Sequence, residues 1–508
     1  MSGHEARPVP VLAHDRPSPA GRDDRRPVGG SAEGAGPVGA PDRPASAGHG
    51  GRQEDPAFGG SRQSVTCRAP GKLFIAGEYA VVEPGNLAVL TAVDRYATAT
   101  VTAADIDATS HRAEEAAPAT GRVARTPGII QRSDIDSTAS RHRAEELAPA
   151  TGRVTSTPGT TLRSDIDGTV SWHRTDEPAP TTGHVIPLPE ITLRSDLDGG
   201  VSLACRREGD RLVPATPDGA VPAAFAYVFA AVSILDRLRT ERGITARRYV
   251  LAVSTDLSDV DGRKYGLGSS AAVTVATVAA LARFHELELS AMDRYRLAML
   301  ATITVAPRAS GGDVAAATWG GWLAYGSPDR GLVAETVARG GVGAALRAPW
   351  PGLSVRPLPT PPGLALRVGW TGSPASTPAL VGAATRARGD RTVFNARSND
   401  CVQRLTTAVD AGDVPAIRAE IDCARELLLG LDETAQLGIM TPRLHALCAA
   451  AAAVGAAAKP SGAGGGDCGI AVIENTSTAA LAELTDRWVA AGIRPLPLRI
   501  HPRAEEDS

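Results

Sequence analysis

Only three lysines stand among the 53 basic residues of this 508-residue chain, and each borders glycine-rich sequence. They lie in Pro70-Gly71-Lys72, in Lys264-Tyr265-Gly266-Leu267-Gly268, and in Lys459-Pro460-Ser461-Gly462-Ala463-Gly464-Gly465-Gly466. An ammonium is a compact point charge and a guanidinium a planar fork, so an arginine-rich chain keeps lysine where only the smaller cation fits. Beside glycine backbone that turns its N–H groups inward, such a cation suits a polyphosphate. The second segment, continued through Ser269-Ser270-Ala271-Ala272, reads as a phosphate cradle. Gly266 and Gly268 turn the backbone, Ser269 and Ser270 cap a helix running to about His285, and the helix N-terminus adds partial positive charge. Lys264 stands at the mouth. The plain alternative is a glycine turn capping an ordinary helix, which is all a lone Gly-x-Gly implies.

Two more segments carry candidate chemistry. In Pro70-Gly71-Lys72-Leu73-Phe74-Ile75-Ala76-Gly77-Glu78-Tyr79, a strand, turn, strand pattern is either a buried hairpin or a pocket floor lined by Lys72, Glu78 and Tyr79. In Arg308-Ala309-Ser310-Gly311-Gly312-Asp313, the carboxylate sits where glycines give way to a small-residue helix. Asp313 is there either an N-cap or an acid held beside an acceptor, with Arg308 as an anion contact. Other chemistries are disfavoured. Histidines outside the tail and repeats are His285, His445 and His501, without metal-protease spacing or a Gly-x-Ser-x-Gly elbow. No Gly-x-x-x-x-Gly-Lys-Ser/Thr exists, and Gly266-x-Gly268 follows its strand too distantly for a dinucleotide fingerprint.

The elements that must position these residues follow from the rest of the chain. With 43% hydrophobic residues there is enough for a normal core in two or three domains. A net charge of −3 gives no basic field for nucleic acid, and no apolar run reaches membrane length. Residues 1–63 lack a secretory apolar region and are expected to be disordered. Six scattered cysteines suggest neither zinc nor disulfides, and a reduced cytoplasm fits them. Between about 104 and 190 a polar unit recurs, with Ser133, Ser164 and Ser195 each opening a Ser-Asp-Ile/Leu-Asp and standing 31 residues apart. It is too poor in apolar residues to stack into a solenoid, so a duplicated surface loop is expected. Helices are expected around 223–239, 270–285, 291–301, 391–429, 441–458 and 479–491, with strands around 65–82, 87–102, 249–255 and 469–474.

Taken together, Pro-Gly-Lys-Leu-Phe-Ile-Ala-Gly-Glu-Tyr-Ala-Val, Gly-Leu-Gly-Ser-Ser-Ala-Ala, Ser-Gly-Gly-Asp-Val-Ala and Lys-Pro-Ser-Gly-Ala-Gly-Gly-Gly-Asp-Cys-Gly resemble the galactokinase, homoserine kinase, mevalonate kinase and phosphomevalonate kinase superfamily. Gly77-Glu78-Tyr79 and the stretch Gly369 to Thr377 are most similar to the bacterial phosphomevalonate kinases. The resemblance covers about Ser64 to Arg499 apart from the repeats. It implies an α+β (α/β) fold of two domains, 64–330 of ribosomal-protein-S5 type and 331–508 ferredoxin-like, as a monomer or homodimer. It also implies ATP and Mg²⁺ as cofactors and phosphomevalonate as acceptor, with mevalonate kinase as the near alternative and a non-catalytic nucleotide-binding protein as the distant one. Lys72 and Asp313 would be catalytic. Lys264, Gly266 to Ala271, Ser461, Gly462, Gly464 and Gly465 would hold ATP. Glu78, Tyr79, Arg308, Ser310, Gly311 and Lys459 would join Lys72 around the acceptor, and Ser270 would bind magnesium. The glutamate that mevalonate kinases carry upstream of the aspartate is absent from Ala301 to Arg308.

Overall fold

The computed structural model describes residues 64–104, 190–196, 200–209, 211–373, 377–386 and 391–504. The tail expected at 1–63 and nearly all of the repeat-bearing insertion lie outside the described residues, as do 374–376 of the Gly369 to Thr377 stretch.

The first strand, β1 (Ser64–Ala76), runs unbroken where the sequence suggested strand, turn, strand. Pro70-Gly71 is absorbed by a shift of register against β2 (Leu87–Ala103) instead of reversing the chain. A Cβ on Gly71 would stand 2.5 Å from the Leu257 side chain, so only glycine lets the strand pass there. The turn comes later, at Gly77 with φ 93°, and leads into a 3₁₀ turn at Ala80–Val82.

β3 (Ile191–Ser195), β4 (Ser202–Glu208) and β5 (Arg211–Pro214) return the chain to the sheet after the insertion. The sheet order is β5-β4-β3-β6-β2-β7-β8, with β6 at Tyr249–Thr255, β7 at Trp322–Gly326 and β8 at Ser354–Leu358, and β1 paired to β2. β8 therefore joins this sheet from beyond residue 330, where the domain boundary was expected. Helices α1 (Ala226–Glu241), α2 (Ser269–Phe284), α3 (Ala291–Val305) and α4 (Gly312–Trp319) pack together, with α2 against β1 and β2. Ala, Val and Thr fill α2, so it can be buried almost all round. α5 (Arg330–Arg347) packs on α1 and α3.

A second, antiparallel sheet has the order β10-β11-β9-β12, from Ala457–Pro460, Cys468–Glu474, Leu364–Trp370 and Arg494–Leu496. Alternation sorts its side chains into two sets. Val368, Trp370, Ile470 and Val472 join the main core. Ala471 and Ile473 pack with Leu444, Leu447, Leu484 and Trp488 of α9 (Pro442–Ala453) and α10 (Thr478–Ala490). α6 spans Thr377–Arg386. The helix expected over 391–429 is two, α7 (Thr392–Ala411) and α8 (Val414–Ala435), parted at Gly412 with φ 65° and restarted by Asp413, whose side chain accepts from the Ala416 N–H. The helix expected to reach 458 ends at Ala453, so Lys459 sits on a strand. Residues 499–504 then return to the first sheet. The His501 N–H donates to Ala92 O, Gly321 N–H to His501 O and Ala504 N–H to Trp319 O, each at 2.9 Å.

Candidate active site

Gly268 is where the separated motifs meet. It holds a left-handed φ of 77° and is itself the N-cap of α2, so Ser269 and Ser270 are the first helical residues and not the caps expected of them. A Cβ added to Gly268 would lie 3.0 Å from Cγ and Cε of Lys72 and 3.5 Å from Cβ of Asp313. A Cβ on Gly462 would lie 3.9 Å from Lys72 Nζ. Glycine-bearing segments from distant parts of the chain thus come together around Gly268 and the Lys72 side chain. Lys72 is 7% exposed, and its ammonium donates to Gly266 O at 3.1 Å. The Lys72 N–H donates to Leu267 O at 2.9 Å, fixing β1 to the turn. No ion pair joins Lys72 to Asp313 among the described residues.

Asp313 lies on the first turn of α4, whose N-cap is Gly311 with φ 86°, and makes no capping bond. Asp313 is half-buried. Burial first and Asp313 second raise the phenol of Tyr227 on α1 above its ordinary value, a neighbour that sequence reading missed. Asp467 was missed as well. Its backbone takes φ 51°, and a Cβ on Gly266 would stand 2.5 to 2.7 Å from its side-chain atoms, so the carboxylate rests directly on the cradle glycine. The acid beside the glycine run was visible in the sequence, but nothing local pointed it at residue 266.

Other expected residues have internal partners of their own. Lys459 is wholly buried, paired with the Glu78 carboxylate, and donates to Pro460 O at 2.6 Å. The Gly462 N–H donates to the same Glu78 oxygen at 3.3 Å. Ser461 Oγ donates to Phe74 O at 3.1 Å and accepts from the Phe74 N–H at 2.9 Å, so its hydroxyl is consumed in tying the second sheet to β1. Tyr79, with φ 63°, donates its phenol to Ala463 O. Burial above all, then Glu78 and Asp432, hold that phenol well above its ordinary pKa, so it is a permanent donor at neutral pH. Glu78, Tyr79, Lys459 and Ser461 therefore brace the loop Ser461 to Gly466, whose Gly462 lies beside the Lys72 ammonium. Gly464 and Gly465 lie against Ile439, the latter donating its N–H to Ile439 O at 2.8 Å. Lys264 and Arg308 are exposed.

For a hard divalent cation, Ser270 and Asp313 offer side-chain oxygens that no hydrogen bond or ion pair occupies among the described residues, which is the donor type magnesium takes. Away from this place, Cys401, Glu420 and Cys423 come within 4.8 Å of one another between α7 and α8. Arg404 already clamps the Glu420 carboxylate at 2.7 and 2.9 Å and reaches Cys423 Sγ at 3.6 Å, so that cluster is organised around its own cation.

A two-sheet α+β fold with a glycine-framed lysine and aspartate at one helix N-terminus defines a GHMP kinase: the pattern of the GHMP kinases N terminal domain matches residues 226–321, and that of the GHMP kinases C terminal matches 406–490. The chain is 42% identical over 448 residues, 86% of its length and 97% of the relative's, to the phosphomevalonate kinase of Streptomyces sp. (strain CL190). It belongs to the phosphomevalonate kinase family. Among solved structures, the Lin0012 protein from Listeria innocua is 26% identical, with a TM-score of 0.65 over 88% of this chain and all of that one. The Streptococcus pneumoniae phosphomevalonate kinase in complex with phosphomevalonate and AMPPNP shares the fold at 23% identity, TM-score 0.61, over 87% of this chain and 100% of that one. No described helix is long and apolar enough to cross a membrane.

Proposed function

We propose that the chain is the phosphomevalonate kinase of a mevalonate route to isoprenoids, transferring the γ-phosphoryl group of ATP to (R)-5-phosphomevalonate. One oxygen of the acceptor phosphate forms a bond to the γ-phosphorus while the bond to the ADP oxygen breaks in line, giving 5-diphosphomevalonate. The observation that carries this reading is the convergence of Lys72 and Asp313 on Gly268, with Gly462 beside the Lys72 ammonium, in a chain of this family.

Such a transfer asks the protein for position and charge neutralisation more than for covalent chemistry. The N–H groups of the cradle and the N-terminus of α2 hold the donor phosphates. Lys72, desolvated and fixed to Gly266 O, faces the transferring group, where a positive charge in low dielectric gains most. The acceptor's second pKa is about 6, by analogy with phosphorylated side chains, so its attacking oxygen is mostly anionic at neutral pH and needs little proton removal. Asp313 then orients the acceptor, and the exposed Arg308 meets the acceptor's far charge. Ser270 and Asp313 would hold magnesium, whose charge would help neutralise the phosphates. All six cysteines are free thiols, which supports a reducing, cytoplasmic setting.

The test is an ATP-coupled assay of the purified protein with mevalonate, phosphomevalonate and diphosphomevalonate side by side. Turnover with phosphomevalonate at least about a hundredfold above the other two is expected, since a site built for a charged group rejects mevalonate, which lacks it, and diphosphomevalonate already carries the transferred group. Preference for mevalonate would overturn the assignment.

A further inference from the structure

The chain has seven tyrosines, and two of them, Tyr295 on α3 and Tyr325 on β7, are fully buried beneath the turn that carries Asp313. Tyr325 OH donates to Ser310 O at 2.6 Å, and the two phenol oxygens are 2.7 Å apart. A phenol has one proton. Because a carbonyl can only accept, the Tyr325 proton is committed to Ser310, and Tyr295 must donate to Tyr325. The order is therefore directed: Tyr295 O–H to Tyr325 O–H to Ser310 C=O. Gly311, the next residue, leaves no slack, since a Cβ there would stand 2.6 Å from Met299 Sδ, 2.7 Å from Tyr325 OH and 3.0 Å from Tyr295 OH. Asp313 lies two residues on, in the first turn of the short helix that Gly311 caps. Burial is the main reason both phenols stay protonated, and Asp313 adds to it.

We propose that Tyr325 is a positioning residue for phosphoryl transfer, and that the directed chain from Tyr295 through Tyr325 to Ser310 aims Asp313 at the cradle. The proposal rests on the reading of Asp313 as a residue of the acceptor site. Both phenols are fully buried, so no direct contact with nucleotide or acceptor is assigned to them. Their effect passes through the Ser310–Gly311 turn, where a displacement of a fraction of an ångström tilts α4 and moves its carboxylate.

Direction makes the two tyrosines unequal. Tyr325→Phe deletes one oxygen, orphaning the Ser310 carbonyl and the Tyr295 proton together. Tyr295→Phe removes only a donor to Tyr325, whose own proton still reaches Ser310. In the coupled assay, below the unfolding temperature of every variant, Tyr325→Phe is expected to lower kcat about tenfold or more, with KM for ATP within about twofold of wild type. Tyr295→Phe should lose less than about threefold, and the double variant should be no worse than Tyr325→Phe, because the second deletion acts on a chain already broken. A merely structural pair would lower both melting temperatures and leave the rate per folded molecule unchanged. Wild-type kcat in Tyr325→Phe, equal losses in the two single variants, or a KM for ATP rising with the loss overturns the proposal. The acceptor used is whichever of the three supports wild-type turnover. Failure of phosphomevalonate alone then overturns the functional reading and leaves the tyrosine comparison to be decided, whereas failure of all three overturns both.

Discussion

Lys72 and Asp313 face the same cradle glycine but are not paired with each other, and that separates their roles. Lys72→Ala removes the one buried ammonium at the cradle and should cost more turnover than Asp313→Asn, by about tenfold, at saturating phosphomevalonate. A greater loss in Asp313→Asn, with a rate that falls as a single base protonates, would make proton removal the main task instead. Lys459 is a different kind of lysine. Lys459→Met strands the Glu78 carboxylate in the interior and should cost about 3–5 kcal/mol in urea unfolding, while Glu78→Gln with Lys459→Met recovers much of it. Scarcity of lysine singles out 72 and 459, whose ammoniums are buried and partnered, and 264, which is exposed beside the cradle glycines. What sequence cannot resolve is whether such a lysine meets a ligand or a carboxylate, because the partner of Lys459 lies 381 residues away.

At the scale of elements, α2 was readable from its unbroken run of small residues, whereas its cap was not. Two serines before an apolar run are a capping pattern, yet a left-handed glycine took the position because the backbone must turn around Lys72 there. β1 was misjudged for a related reason: Pro-Gly usually ends a strand, and only the side chain of Leu257 arriving from elsewhere makes glycine necessary inside one. The far end of α2 carries a pH-sensitive group. His285 is 5% exposed, lies edge-on to Tyr249, and has its pKa lowered to about 4 by burial, with Arg239, Arg207 and Arg247 adding to the effect and Asp236 opposing it. The folded state thus binds this proton less readily than the unfolded chain, whose histidine titrates at about 6.5. Stability contributed by the neutral ring is whole above pH 6.5 and is lost as pH falls toward 4. Between pH 6.5 and 5 the loss should be about 2 kcal/mol, and His285→Phe, which keeps the aromatic contacts, should flatten that part of the urea-unfolding profile.

The whole molecule tolerates its long insertion because of where the ends lie. Ala103 and Ile191 both pair with Tyr249, one on each neighbouring strand of β6, so the gap to be bridged is two strand spacings, about 10 Å. Replacing 105–189 by about four glycine and serine residues should leave turnover within about twofold of wild type, since shortening a surface loop changes closure entropy little. Loss of most activity in a folded deletion would give the insertion a direct role. A peptide bond made straight from Ala103 to Glu190 would instead strain β6. Removing residues 499–504 should act on the opposite end of the sequence, exposing Ala92 and Val93 of β2 to proteolysis before any strand of the second sheet. Asp94 and Arg499 are bonded across 405 residues of chain. At roughly 5–20 residues per second, a ribosome needs on the order of half a minute or more to deliver the second partner after the first. Throughout that interval Ala92 O and Asp94 lack the partners that residues 499–501 supply, so the nascent β2 carries a gap in its pairing that the finished chain closes.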